Sequence, residues 1–202
     1  MPDNYVAFTG RPNSGKSTMI RALTGLKVTT GKRPGTTTSI DKYQISQSLY
    51  LVDMPGYGRK VDASRRWESE TKDRILDFIE REAASIALTV HVINITTFLE
   101  TEARLAKKGF ISLDVEMVDY LHETLGEFPL VAANKIDKGS EGDVAANLEA
   151  FLDRITGGTP SEAACHVFPV SAKHGVGVGP LKDRLVKTLA AKGFRNPFEY
   201  IR

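Results

Sequence analysis

The chain of 202 residues has a single cysteine, Cys165. One cysteine cannot close an internal disulfide, so a disulfide-stapled secreted scaffold is excluded and a reducing compartment is expected. Long apolar runs are also missing. None reaches ten residues, whereas a membrane span needs roughly 20. The opening MPDNYVAFTG enters a strand at once and has no basic-then-apolar leader. No His, Cys and carboxylate residues cluster at zinc-binding spacing. His91 sits inside an apolar strand and reads as a packed core residue, and Cys165 reads as a strand-edge residue without chemistry. Internal repeats, low-complexity tracts and linkers are absent. The expectation is one soluble cytoplasmic domain over residues 1–195, with a short tail at 196–202 that either docks or lies free. A monomer is expected, without a membrane partner.

Charge of one sign is scarce only locally. Residues 1–66 hold 11 Lys/Arg and 4 Asp/Glu, residues 67–164 hold 9 and 19, and residues 165–202 hold 7 and 2. Two basic ends therefore flank an acidic middle, within a net charge of only +2. Such a pattern either presents a basic face to a polyanion or reflects well-solvated helices beside a phosphate site.

Six short β-rich runs alternate with helical periodicity. Strands are predicted at 5–9, 39–47, 49–52, 86–95, 129–133 and 166–170, with 39–47 and 49–52 joined by a tight turn. Helices are predicted at 16–24, 68–84, 99–108, 114–125, 144–155 and 181–191, the last closed by Gly193. Residues 25–38, rich in Gly, Thr and Lys/Arg, read as a mobile loop. The alternation implies a mainly parallel six-stranded sheet with helices on both faces.

The chemistry lies in the loops. Gly10-Arg-Pro-Asn-Ser-Gly-Lys-Ser17 fits G-x-x-x-x-G-K-[ST] between a strand and a helix. Its residues Gly10, Arg11, Pro12, Asn13, Ser14 and Gly15 can curl main-chain N–H groups around phosphates. Lys16 would reach the β- and γ-phosphates, and the Ser17 hydroxyl would ligate Mg²⁺. Asn134-Lys-Ile-Asp137 follows a strand and selects the base. The Asp137 carboxylate can accept from guanine N1–H and the 2-amino group, whereas adenine has no 2-amino group and no hydrogen on N1. Asn134 would brace the loop, with Lys135 covering the base plane and Ile136 completing the turn. Asp53-Met54-Pro55-Gly56 ends another strand. There Asp53 could hold a Mg²⁺-bound water and the Gly56 amide could touch the γ-phosphate. Ser171-Ala172-Lys173, after the last strand, would back guanine O6 with a main-chain amide. In the loop Gly35-Thr36-Thr37-Thr38-Ser39, one threonine should complete the metal shell, and spacing does not choose among the three. Together these motifs describe a P-loop NTPase with a Ras-like G domain that binds GTP and GDP.

Their order, and the segments GKRPGTTT and DMPGYG, resemble the EngB (YihA) family of ribosome-assembly GTPases from about Val6 to Leu189. That family carries P-G-x-T and D-x-P-G-[YF]-G at these places, so the resemblance puts its Mg²⁺ threonine on Thr37. NKID in place of the bacterial T-K-A-D, and a longer 95–113 stretch with Glu100, Glu102, Lys107 and Lys108, are more similar to archaeal members. The resemblance implies a role in maturing the large ribosomal subunit, and a link to cell division and septation in bacteria.

Many related GTPases carry a water-orienting Gln after D-x-x-G. Tyr57 occupies that place here, and the resemblance implies slow turnover by a switch. Asn13 either shapes the phosphate loop or holds a catalytic potassium ion. Arg59, Lys60, Arg65 and Arg66, beside Trp67, together with Lys27, Lys32 and Arg33, suit rRNA phosphates, although a solvated loop has the same composition. The competing readings are the G domain of another GTPase family, a P-loop ATPase, and a GTP-dependent interaction module with negligible hydrolysis.

Overall fold

The computed structural model describes residues 3–26, 28, 39–58, 65–158 and 162–201. Its central strand comes from the most continuous apolar run. β4 (Ile86–Asn94) is β-branched or apolar nearly throughout and is covered on both faces. β1 (Asn4–Gly10) pairs with it in parallel, as do β3 (Leu49–Asp53) on β1, β5 (Leu130–Asn134) on β4, and β6 (Val167–Val170) on β5. β2 (Asp41–Ser46) adds an antiparallel edge to β3 after a tight turn. The order is β2-β3-β1-β4-β5-β6, the mainly parallel six-stranded sheet expected from the alternation.

Period-2 alternation divides β1 between two cores. Val6 and Phe8 face α1 (Lys16–Thr24) and α6 (Val178–Ala191) through Met19, Ile20, Leu23, Leu181 and Leu185. Tyr5 and Ala7 face the other side, against Ile75 and Ile79 of α2 (Arg65–Arg81) and Met117 and Leu121 of α4 (Leu113–Leu125). Further along that face, α3 (Phe98–Ala106) and α5 (Glu141–Thr156) pack Phe98 edge-on to Phe151, with ring centroids 5.2 Å apart. Helices therefore cover both faces.

The element boundaries differ from the sequence expectation for identifiable reasons. α5 starts at Glu141 because the Ser140 hydroxyl accepts from Asp143 N at 3.2 Å, ahead of the first apolar position. α2 runs three residues earlier than expected at both ends, and a 3₁₀ turn at Ala83–Ser85 takes up its predicted end. Cys165 is exposed in the turn Glu162–His166 ahead of β6, not at the strand edge expected for it. The tail docks. Phe198 and Ile201 pack on the α1–α6 side, and Tyr200 N–H donates to Ile45 O at 3.0 Å.

Candidate functional site

Parallel strands deliver their carboxyl ends to one edge of the sheet, where the predicted loops meet. The phosphate loop leaves β1 at Gly10 and enters α1 at Gly15, which caps the helix without a side-chain acceptor. The first amides of α1 are thus left for an anion. Asn13 takes a left-handed φ of 64°, a conformation that Asn accepts more readily than most residues. The Ser14 hydroxyl is buried with no hydrogen-bond partner.

Asn134, at the end of β5, ties two loops together. Its Nδ2 donates to Ser14 O at 2.9 Å, and its Oδ1 accepts from Ala172 N at 3.0 Å. The phosphate loop and the 171–173 loop are therefore braced by one amide side chain, buried to 3% exposure. Lys135 Nζ lies against the carbonyl of Asn13, which lays its stem along the phosphate loop. Burial lowers its ammonium from the usual lysine range, with Lys138 adding to the effect. Ile136 is half-buried and packs against the α3–α5 core. Ala172 N–H already has Asn134 as its acceptor, so a base carbonyl arriving there would compete for that amide.

The Asp137 carboxylate stands at the mouth of this edge. Ser171 Oγ donates to its Oδ1 at 2.6 Å, and His174 Nε2 lies 3.7 Å from Oδ2. The Ser171 hydrogen bond, with His174 and Lys173 adding to it, holds the carboxyl below its ordinary range. An anion fixed in this way is a strong acceptor for a pair of N–H donors.

Asp53, ending β3, is 2% exposed. Burial raises its carboxyl above the usual range, while Lys16 and the hydrogen bond from Ser17 oppose the rise. Lys16 Nζ contacts Asp53 Oδ1 directly, a buried ion pair at the start of α1. A hydroxyl, a carboxylate and the phosphate loop thus converge, and these hard oxygen donors fit Mg²⁺. Among the described residues, no group of three or more His, Cys, Asp or Glu could hold a metal ion. Met54 is fully buried in the α2–α4 core and Pro55 is also buried, so both meet the site through their backbone. Gly56 lies on the phosphate loop: a Cβ there would sit 2.8 Å from Pro12 N.

Gly35, Thr36, Thr37 and Thr38 lie outside the described residues. So do Lys27, Lys32, Arg33, Arg59 and Lys60, and the side chains of Arg65, Arg66 and Trp67. Ser39 is described at the approach to β2, exposed, with its hydroxyl donating to Asp41 Oδ1 at 2.6 Å. Two residues at the site went unnoticed in the sequence. His174 had the weak signal of following the 171–173 motif. Asp114, whose Oδ2 reaches Arg11 Nη1 at 3.6 Å, had none, because it lies some hundred residues downstream of the phosphate loop.

Known proteins are similar to this chain in sequence and in fold. Residues 5–135 match the family of 50S ribosome-binding GTPases. A probable GTP-binding protein EngB from Archaeoglobus fulgidus is 37% identical, over 94% of this chain and 98% of its own. Its counterpart from Methanosarcina barkeri is 38% identical, over 89% and 87%. The crystal structure of a probable GTP-binding protein engB superposes with a TM-score of 0.79 at 32% identity, covering 93% and 99%. Era from Aquifex aeolicus, at 23% identity and a TM-score of 0.57 over 95% of this chain and 57% of its own, shares the fold. The phosphate loop, the base loop and the sheet that joins them belong to a P-loop GTPase, and the chain is a member of the EngB family of GTP-binding proteins.

Proposed function

We propose that this chain is a guanine-nucleotide switch with slow intrinsic GTPase activity, acting in assembly of the large ribosomal subunit. The observation that carries the nucleotide reading is the Asn134 brace, which sets Asp137 and the 171–173 loop at a fixed distance from the phosphate loop. In this reading Gly10–Ser17 cradles the phosphates and Lys16 leaves Asp53 to meet the β- and γ-oxygens. Gly35, Thr36, Thr38 and Ser39 contact the nucleotide, and Met54 and Pro55 carry the Gly56 N–H to the γ-phosphate. Asn134, Lys135, Ile136 and Asp137 hold the base, with Ser171, Ala172 and Lys173 behind it. Ser17, Thr37 and Asp53 would hold Mg²⁺, which when bound neutralises charge on the phosphate oxygens.

Slow turnover is supported by Tyr57. It is 2% exposed, and its hydroxyl is taken up inside the core, 3.3 Å from His91 Nε2. It therefore cannot orient water as a Gln would. Asn13, with its left-handed backbone and its carbonyl on Lys135, is supported as a loop-shaping residue. Its exposed side chain leaves a role with potassium as the second reading.

Among the described residues, an RNA-bearing partner is supported by the connection before α4. Phe110 and Ile111 are exposed there beside Lys107 and Lys108, a stacking surface next to phosphate-pairing charge. No described helix is long and apolar enough to cross a membrane. A cytoplasmic monomer, one domain over 1–195 with a docked tail, and the family's septation link complete the reading. The test is co-sedimentation with purified large-subunit particles in a GTP analogue and in GDP, together with turnover on those particles in K⁺ and Na⁺ buffers. Retention in the GTP form and a rise in turnover of at least about tenfold are expected. Absence of binding in both nucleotide states would overturn the ribosomal role, and equal rates in the two salts would overturn the potassium reading.

A further inference from the structure

His91 has a side chain of 0% exposure on the middle strand of the sheet, yet its neighbours are polar. Thr9 Oγ1 lies 2.8 Å from Nδ1. Tyr57 Oη lies 3.3 Å and Asp114 Oδ1 3.5 Å from Nε2. Asp114 also pairs with Arg11 of the phosphate loop. One imidazole thus joins the strand that feeds the phosphate loop, the residue that follows Gly56, and the first turn of α4.

The protons can be placed. Asp114 Oδ1 is buried with no hydrogen-bond partner, so a bare lone pair on Nε2 would face a carboxylate. The Nε2–H tautomer removes that repulsion, with Nε2–H donating to Tyr57 Oη beside the Asp114 carboxylate and the Thr9 hydroxyl donating to Nδ1. The Tyr57 ring stacks on the imidazole at 22°, with centroids 6.1 Å apart. Burial, with Asp114 beside it, keeps the Tyr57 hydroxyl protonated far beyond the ordinary tyrosine range, against the opposing pull of Arg11.

Packing alone does not account for this cluster, since Val or Ile would fill a covered strand position without any polar atom to satisfy. The geometry has a direct consequence for the loops. Gly56 rests on Pro12, and Tyr57, the next residue, is pinned below it to His91. Arg11, the residue before Pro12, is drawn to Asp114, which meets the same imidazole nitrogen as Tyr57. The two loops that would enclose a γ-phosphate therefore share one buried anchor.

We infer that His91 is a positioning residue: through Tyr57 and the Asp114–Arg11 pair it sets the register of Gly56 against the phosphate loop, and so how strongly GTP is preferred over GDP. This rests on the proposed contact between the Gly56 N–H and the γ-phosphate. The experiment measures affinities of the full-length protein for GDP and for a non-hydrolysable GTP analogue, with thermal unfolding in parallel. The variants are His91→Phe, His91→Gln, Tyr57→Phe, the double His91→Phe/Tyr57→Phe, and Gly56→Ala. His91→Phe and Tyr57→Phe are expected to lower the GTP-analogue to GDP affinity ratio about tenfold, the double variant no further than either single one. His91→Gln, which keeps an N–H donor near the Nε2 position, is expected to recover most of the ratio. If His91→Phe fails to fold, Tyr57→Phe and His91→Gln carry the test. Equal weakening for both nucleotides, or additive effects, would overturn the role of His91. A ratio lost in Gly56→Ala but kept in the His91 and Tyr57 variants would overturn it as well, leaving the Gly56 contact standing. A ratio unchanged in Gly56→Ala would overturn that contact, and the inference with it.

Discussion

In the proposed guanine site, base recognition rests on one carboxylate and the hydroxyl beside it. Asp137 must be an anion to accept two guanine N–H donors, and the Ser171 hydrogen bond is the largest cause of its lowered pKa. A depressed pKa keeps the anion, and the binding it supports, in place above that value and loses it only as pH falls through it. Ser171→Ala removes the main cause, so the acid loss of GDP affinity should set in at a higher pH than in the parent chain. A Kd titration for GDP across the acid range checks this, and superimposable profiles would contradict it. Asp137→Asn should weaken GDP by roughly two orders of magnitude, because two charge-assisted hydrogen bonds are lost.

Among the elements, α6 and the loop ahead of it are coupled through Gly177. This residue caps α6 with a φ of 71°, and a Cβ there would lie 2.2 Å from Pro169 O in β6. Its neighbour Val176 accepts from Ser171 N at 2.9 Å, which closes the loop holding Ser171 and Ala172. Gly177→Ala combines backbone strain with a backbone clash and should cost on the order of 2–3 kcal/mol. Denaturant unfolding would read that cost, and GDP affinity should fall with it because the loop bearing Ser171 is displaced. An unchanged midpoint would mean the loop relaxes freely. Element identity was largely legible in the sequence, because β4 announces itself as a continuous apolar run and α2 by apolar residues at helical spacing. Element starts were less so: Ser140 acts through a cap hydrogen bond that the apolar pattern does not record.

Across the whole molecule, the candidate site is built from segments near residues 10–17, 53–58, 134–137 and 171–173, which only the folded sheet brings together. A ligand bridging them binds the native state alone and must stabilise it, by about 2.7 kcal/mol at a concentration 100 times its Kd. Thermal unfolding should therefore shift upward with GDP and not with ADP, and removing Mg²⁺ should shrink the shift for a GTP analogue more than for GDP. Equal shifts with GDP and ADP would contradict the guanine site.

The fold class and the place of the motifs at strand ends were determined by the sequence itself. Gly10 to Ser17, Asn134 to Asp137 and the alternating periods are local patterns, and local backbone geometry is enough to place donors and acceptors along them. Tertiary structure alone decided what His91 does. The sequence reading kept it as a packed core residue, and its full burial agrees with that. Its polar role, however, comes from the register that sets Thr9 beside it across β1 and β4, and from α4 folding Asp114 over the same face. Such contacts depend on which strands pair and which helix covers them. No spacing along the chain encodes that a residue read as packing would stand between Tyr57 and Arg11.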